Sequence, residues 1–160
     1  MKKWIALLCA LLLIPLTACA GNGGSGSSQA ASKDPVADMS LTDIANAILK
    51  DAGELPMYEV TELTAENFEF YTFIPYVEGY EGVTADALIG SIAHSVVLVR
   101  VPDGTDAAQV AADIESKANP AKWICVEAEK TVVRQRGNTI LLVMSSEATT
   151  DAIVAGFDAL

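Results

Sequence analysis

The sequence predicts an α+β domain: a mainly antiparallel sheet of about four strands with helices packed on one face. Three observations lead there. "HSVVLVRV" at residues 94–101 is a short apolar run, and "TVVRQRGNTILLVMSS" at 131–146 is two extended runs joined by Gly137-Asn138. Helical periodicity appears before, between and after these runs without a regular β-α alternation, which disfavours a parallel sheet.

The first element is a helix. Leu41, Ile44, Ala45, Ile48 and Leu49 recur at helical spacing in "LTDIANAILKDAG". Ser40 stands at the cap, Asp43 at the reciprocal position, and Gly53 supplies the stop. The aromatic stretch "NFEFYTFIPY" (67–76) follows and reads as a strand broken at Pro75. "TADALIGSIA" from Thr84 fits either a short helix or the approach to the next strand.

Val96 to Val99 is apolar without alternation, as in a strand covered on both sides. Pro102-Asp103-Gly104 turns the chain. Thr105 or Asp106 then caps a helix that runs to about Ala118, with Val110 and Ile114 inward and Asn119-Pro120 as its end. "KWICV" (122–126) reads as a short extended segment. Gly137-Asn138 suits a type II′ hairpin turn. Its Arg134 and Arg136 arm is expected to be half exposed, and its Ile140–Met144 arm central. Ser145 or Ser146 caps a last helix with Ile153, Val154 and Phe157 on one face.

The residues ahead of this domain carry an address. Lys2 and Lys3 precede the uncharged apolar run "WIALLCALLLI", which Pro15 breaks. That is the layout of a secretory signal peptide, and the run is too short for a membrane span of about 20 residues. Residues 1–18 are therefore expected to be a signal. Residues 19–39 are expected to be a lipid-bearing Cys19 and a Gly/Ser-rich linker, and 40–160 a single domain. A linker of this composition and length spans roughly 25 Å.

Charge and cysteine content narrow the function classes. The formal net charge is −11 and becomes more negative once Lys2 and Lys3 leave, so nucleic acid is not an expected partner. Cys9 leaves with the signal and Cys19 carries lipid, so Cys125 is the only thiol left for the domain. It cannot form an internal disulfide, and its apolar setting predicts a buried side chain. His94 is the only histidine, which rules out a metal site built on histidines. No phosphate-binding glycine motif and no G-x-S-x-G elbow occurs, and no cofactor is expected.

Leu16-Thr17-Ala18-Cys19 resembles the lipobox of bacterial lipoproteins, whose cysteine is acylated and becomes the N-terminus. The lipobox, the Ser-capped helix, the aromatic-acidic middle, "HSVVLVRVPDGTDAAQVAADI" and "RGNTILLVMSSE" together resemble an uncharacterised family of small lipoproteins. That family, a domain of unknown function, comes from Gram-positive, clostridia-type bacteria. In its pattern an acidic residue often stands near the position of His94. The resemblance implies a palmitate-bearing lipoprotein on the extracytoplasmic face of the cell membrane. It implies no activity.

The candidate ligand-binding residues lie between Asp51 and Asp86. This stretch holds nine carboxylates, no lysine or arginine, and seven of the eight Phe and Tyr residues. Aromatic faces beside carboxylates suit sugars, amines or cationic peptides. Tyr58, Tyr71, Tyr76, Tyr80, Glu78 and Glu81 are expected to share such a face, because a tyrosine can stack while its hydroxyl stays wet. The leading expectation is a membrane-tethered, non-enzymatic ligand-binding or interaction module. The alternatives are an accessory subunit of an envelope transporter or cell-wall assembly, and a hydrolase whose serine, His94 and a carboxylate meet in space.

Overall fold

Five strands form one antiparallel sheet: β1 (Tyr58–Glu62), β2 (Glu81–Ala87), β3 (Ser95–Arg100), β4 (Lys130–Arg136) and β5 (Thr139–Ser145). Their order is β1-β2-β3-β5-β4. This computed structural model describes residues 34–160, so the proposed signal, lipobox and most of the linker lie outside the described residues. Five helices complete the domain: α1 (Pro35–Asp38), α2 (Leu41–Lys50), α3 (Phe68–Thr72), α4 (Ala107–Lys117) and α5 (Glu147–Ala159).

The α+β class and the antiparallel sheet are as predicted, but helices packed on one face only are not. Val83, Ala85, Val96, Leu98, Leu141 and Val143 pack under α2 and α5. Val97, Val99, Ile140, Leu142 and Met144 point the other way and pack under α4 and Phe68 of α3. Successive strand side chains alternate between faces. An unbroken apolar run therefore needs a cover on each side, and β3 and β5 are buried along nearly their whole length.

Local chemistry explains the helix ends. Ser40 Oγ accepts from Asp43 N at 3.0 Å, Asp106 accepts from Gln109 N, and Ser146 accepts from Thr149 N. Gly137 has φ +53 while Asn138 does not share a positive φ, as a type II′ turn requires. Gly82 lies in close contact with Leu63 and Phe68. A Cβ there would meet Leu63 Cδ1 at 2.8 Å and Phe68 at 3.3 Å.

Local expectations are corrected at two places, and the open reading of the stretch from Thr84 is decided. "NFEFYTFIPY" is not a strand. Asn67 Oδ1 accepts from Thr64 N at 2.7 Å, α3 follows, and Phe73 ends it in the left-handed region at φ 64. The stretch from Thr84 belongs to β2 and the turn after it. "KWICV" pairs with no strand; it lies in the loop between α4 and β4, where Cys125 is exposed instead of buried.

The domain also starts earlier than residue 40. Val36 is 0% exposed within the α2/α5 core. Arg100 donates to Val36 O at 3.0 Å and Met39 O at 2.9 Å, and Arg136 pairs with Asp34 at 2.9 Å. Residues 34–39 are thus part of the fold, and the expected boundary between linker and domain at residue 39 is corrected.

Candidate functional site

Each strand runs between two ends of the sheet, and the two ends differ in chemistry. One end carries Arg100, Thr139, Arg136 and the start of β2, and residues 34–39 fold against it. The other carries Asp86, His94, Ser95 and Ser145.

At the Arg100 end lie two clefts. The larger, about 440 Å³, is lined in part by Ala37, Gly79, Glu81, Arg100, Asp103 and Asn138. The second, about 320 Å³, is lined by Glu62, Leu63, Tyr80, Glu81 and Arg100 with the first residues of α2. Arg100 is committed to backbone carbonyls and Thr139 Oγ1. Glu62 and Glu81 beside the Tyr80 ring could accept hydrogen bonds from a cationic group.

The candidate tyrosines are distributed, not gathered. Tyr80 and Tyr76 both pack on Phe68, at 6.1 and 5.6 Å between centroids. Tyr80 shares a cleft with Glu81, while Glu78 stands exposed in the turn before β2. Tyr71 and Tyr58 lie at the other end, Tyr71 beside Phe70 and Tyr58 beside His94 on the opposite face. One cleft therefore holds Tyr80 and Glu81, and no single face holds all six residues.

A buried polar node occupies the other end. Asp86 Oδ1 accepts from Ser95 Oγ at 2.6 Å and Thr84 Oγ1 at 2.7 Å. Asp86 Oδ2 accepts from Lys122 Nζ at 2.8 Å, and the same ammonium donates to Ser95 Oγ at 2.9 Å. The Lys122 side chain is only 7% exposed. Rings of Trp123, Tyr71 and Phe70 surround its Nζ at 5.1, 5.3 and 5.8 Å. Burial pushes the Lys122 pKa down, against the opposing charge and hydrogen bond of Asp86. Tyr71 is pushed up by burial and by the Asp86 charge.

The Ser95–Lys122 distance is one that a lysine base would use on a serine nucleophile. The surroundings point elsewhere. Ser95 is fully buried, and its proton is directed to Asp86. His94 lies 3.0 Å from Ser145 Oγ through Nδ1 and is 1% exposed. Its Nε2 has no partner among the described residues, and Asp86 bonds to other groups. Burial lowers the His94 pKa most, with Lys122 adding to the effect and Asp86 opposing it. A serine and His94 do meet, but no carboxylate joins them and neither Arg100-end cleft reaches them.

Sequence reasoning missed Lys122, Asp86 and Arg100 as structural centres. It also missed a group of exposed aliphatic residues around the buried node: Met57, Leu88, Ile89, Ile92 and Ile124. The signal was present in "LIGSI", where apolar residues sit among turn formers, and in "WICV" after Pro120. Among the described residues, no group of three or more His, Cys, Asp or Glu side chains is arranged to hold a metal ion. Nor is any described helix long and apolar enough to cross a membrane. Comparison with protein-family models, curated proteins and solved structures finds no match.

Proposed function

We propose that this protein is a lipid-anchored, extracytoplasmic interaction module that acts by binding. The lipobox-like Leu16-Thr17-Ala18-Cys19 and the resemblance to small clostridia-type lipoproteins support the anchor. The observation that carries the binding reading is the set of large aliphatic side chains standing in solvent at the sheet end away from residue 34. Of the side chains best suited to acid-base or nucleophilic chemistry, Ser95 and Lys122 are bonded to each other and to Asp86, and His94 is buried with its Nδ1 on Ser145.

Residues 20–33 separate Cys19 from the first described residue. A Gly/Ser-rich segment of that composition would tether the domain near the membrane without fixing its orientation. Two acyl chains would make the attachment stable, whereas one would not.

Radiolabelled palmitate tests this reading. The intact chain is expected to take up label and sediment with membranes, and Cys19→Ala is expected to lose both. Equal labelling of Cys19→Ala would overturn the anchor.

A further inference from the structure

We propose that the exposed aliphatic end of the sheet is a docking surface for a protein partner whose contact area is apolar at its centre and basic at its rim. The proposal rests on the interaction-module reading and names the surface and the partner chemistry. Met57 is 68% exposed, Leu88 60% and Ile124 99%, and Ile89 and Ile92 are also open. Scattered surface hydrophobes are ordinary, but a group at one end of a domain marks a contact site.

These side chains are held by ordered backbone. Leu88 N donates to Met57 O at 2.9 Å, which ties the start of β1 to the turn after β2. Ile92 N bonds to Ile89 O, and Ala87 N bonds to His94 O, closing that turn. Ile92 and Val126 line one shallow depression, and Trp123, Ile124 and Val126 line the next. The two depressions share Val126 and Glu127, which makes Ile92 of one loop and Ile124 of the other neighbours on the surface.

The Ile124 loop is closed at its base by Ala128 N donating to Pro120 O at 2.9 Å. It is rooted by Lys122, whose ammonium is bonded to Asp86 and Ser95. A contact residue presented on a fixed loop loses less entropy on binding.

Charge selects the partner. Glu127 lines both depressions and Glu129 lines the first, while Glu59 is exposed at the β1 edge. The loop's own cation, Lys122, is turned inward and neutralised by Asp86. An acidic rim around an apolar centre attracts a basic rim and repels anionic lipid and a second copy of the same acidic end.

Site-specific photo-crosslinking in intact cells tests the proposal on the full chain. A photoreactive residue is placed at Leu88 or Ile124, with Asp103 at the opposite end as control. The expected result is one protein adduct common to Leu88 and Ile124 and missing at Asp103. Its crosslinked peptide should carry apolar residues flanked by Lys or Arg. Glu127→Lys should lower the adduct yield about fivefold. A lipid adduct, an adduct to a second copy, an equal adduct at Asp103, or no adduct at Leu88 and Ile124 overturns the proposal. So does a yield unchanged by Glu127→Lys. Palmitate uptake in the same cells separates the two ideas: label without the adduct sinks the docking surface, and loss of label sinks the anchor.

Discussion

Lys122 Nζ lies 2.8 Å from Asp86 Oδ2, with only 7% of the lysine side chain exposed to solvent. The pair joins the loop after α4 to the end of β2, across 36 positions of sequence. It also seats Ser95, so one carboxylate and one ammonium organise the end of the sheet that carries the aliphatic surface.

Asp86→Ala is expected to cost about 3–5 kcal/mol, because it leaves an ammonium buried among aromatic rings without its counter-charge. Lys122→Met keeps the volume and removes the charge. Asp86 then retains the Ser95 and Thr84 hydroxyls and some solvent, so the loss should be about 1–2 kcal/mol. Urea unfolding of both variants checks the order. Equal losses would show that the pair does not act as described.

The His94 shift has a direct pH consequence. Its folded pKa is depressed by burial below the ordinary 6.5, so below that pH the unfolded chain binds more protons. Stability is then expected to fall as pH drops from about 6.5 toward the folded pKa, with a slope of up to about 1.4 kcal/mol per pH unit. His94→Gln should flatten that slope. Urea midpoints between pH 7 and pH 5 read it directly, and an unchanged slope in the variant contradicts the assignment.

Removing residues 34–39 is expected to destabilise the domain by about 3 kcal/mol, from lost burial of Val36 and unpaired donors on Arg100. A chain beginning at Ser32 should unfold at the same urea concentration as one beginning at Ala20, and one beginning at Ser40 earlier. Coincident transitions for the two truncations would return residues 34–39 to the linker.

Leu98 and Val97 test the two-sided core. They point to opposite faces and are 0% and 1% exposed. Leu98→Ala is expected to cost about 2–5 kcal/mol and Val97→Ala about 1–3. A neutral Val97→Ala would mean that α4 does not seal its face.

How far the fold was legible in the sequence depended on how locally each element is determined. β3, β5, α2, α4 and α5 follow from apolar runs or helical spacing with good caps, which are properties of consecutive residues. β1 and β2 do not. "YEVTE" is a half-exposed edge, and "EGVTADA" is buried only because β1 and β3 flank it and Gly82 admits Leu63 and Phe68. α3 was hidden because Phe and Tyr favour strands, while the side chain of Asn67 and the left-handed Phe73 fix a single helical turn.

The site was less legible for the same reason. Tyr80 and Glu81 are adjacent in sequence and stay together, whereas Tyr58 and Tyr71 leave for the far end because their strand and helix point there. Asp86 and Lys122 meet only through tertiary structure, so neither residue's neighbours announce the pair.

The exposed thiol of Cys125 offers the most direct test of a lipid-anchored protein on the outer face of the membrane. In that account Cys9 has left with the signal, Cys19 is blocked by lipid, and Cys125 alone remains free. Intact cells treated with a membrane-impermeant maleimide should yield chain carrying a single adduct at Cys125, with no further gain after lysis. Labelling that appears only after lysis, or that also modifies Cys19, would contradict the account.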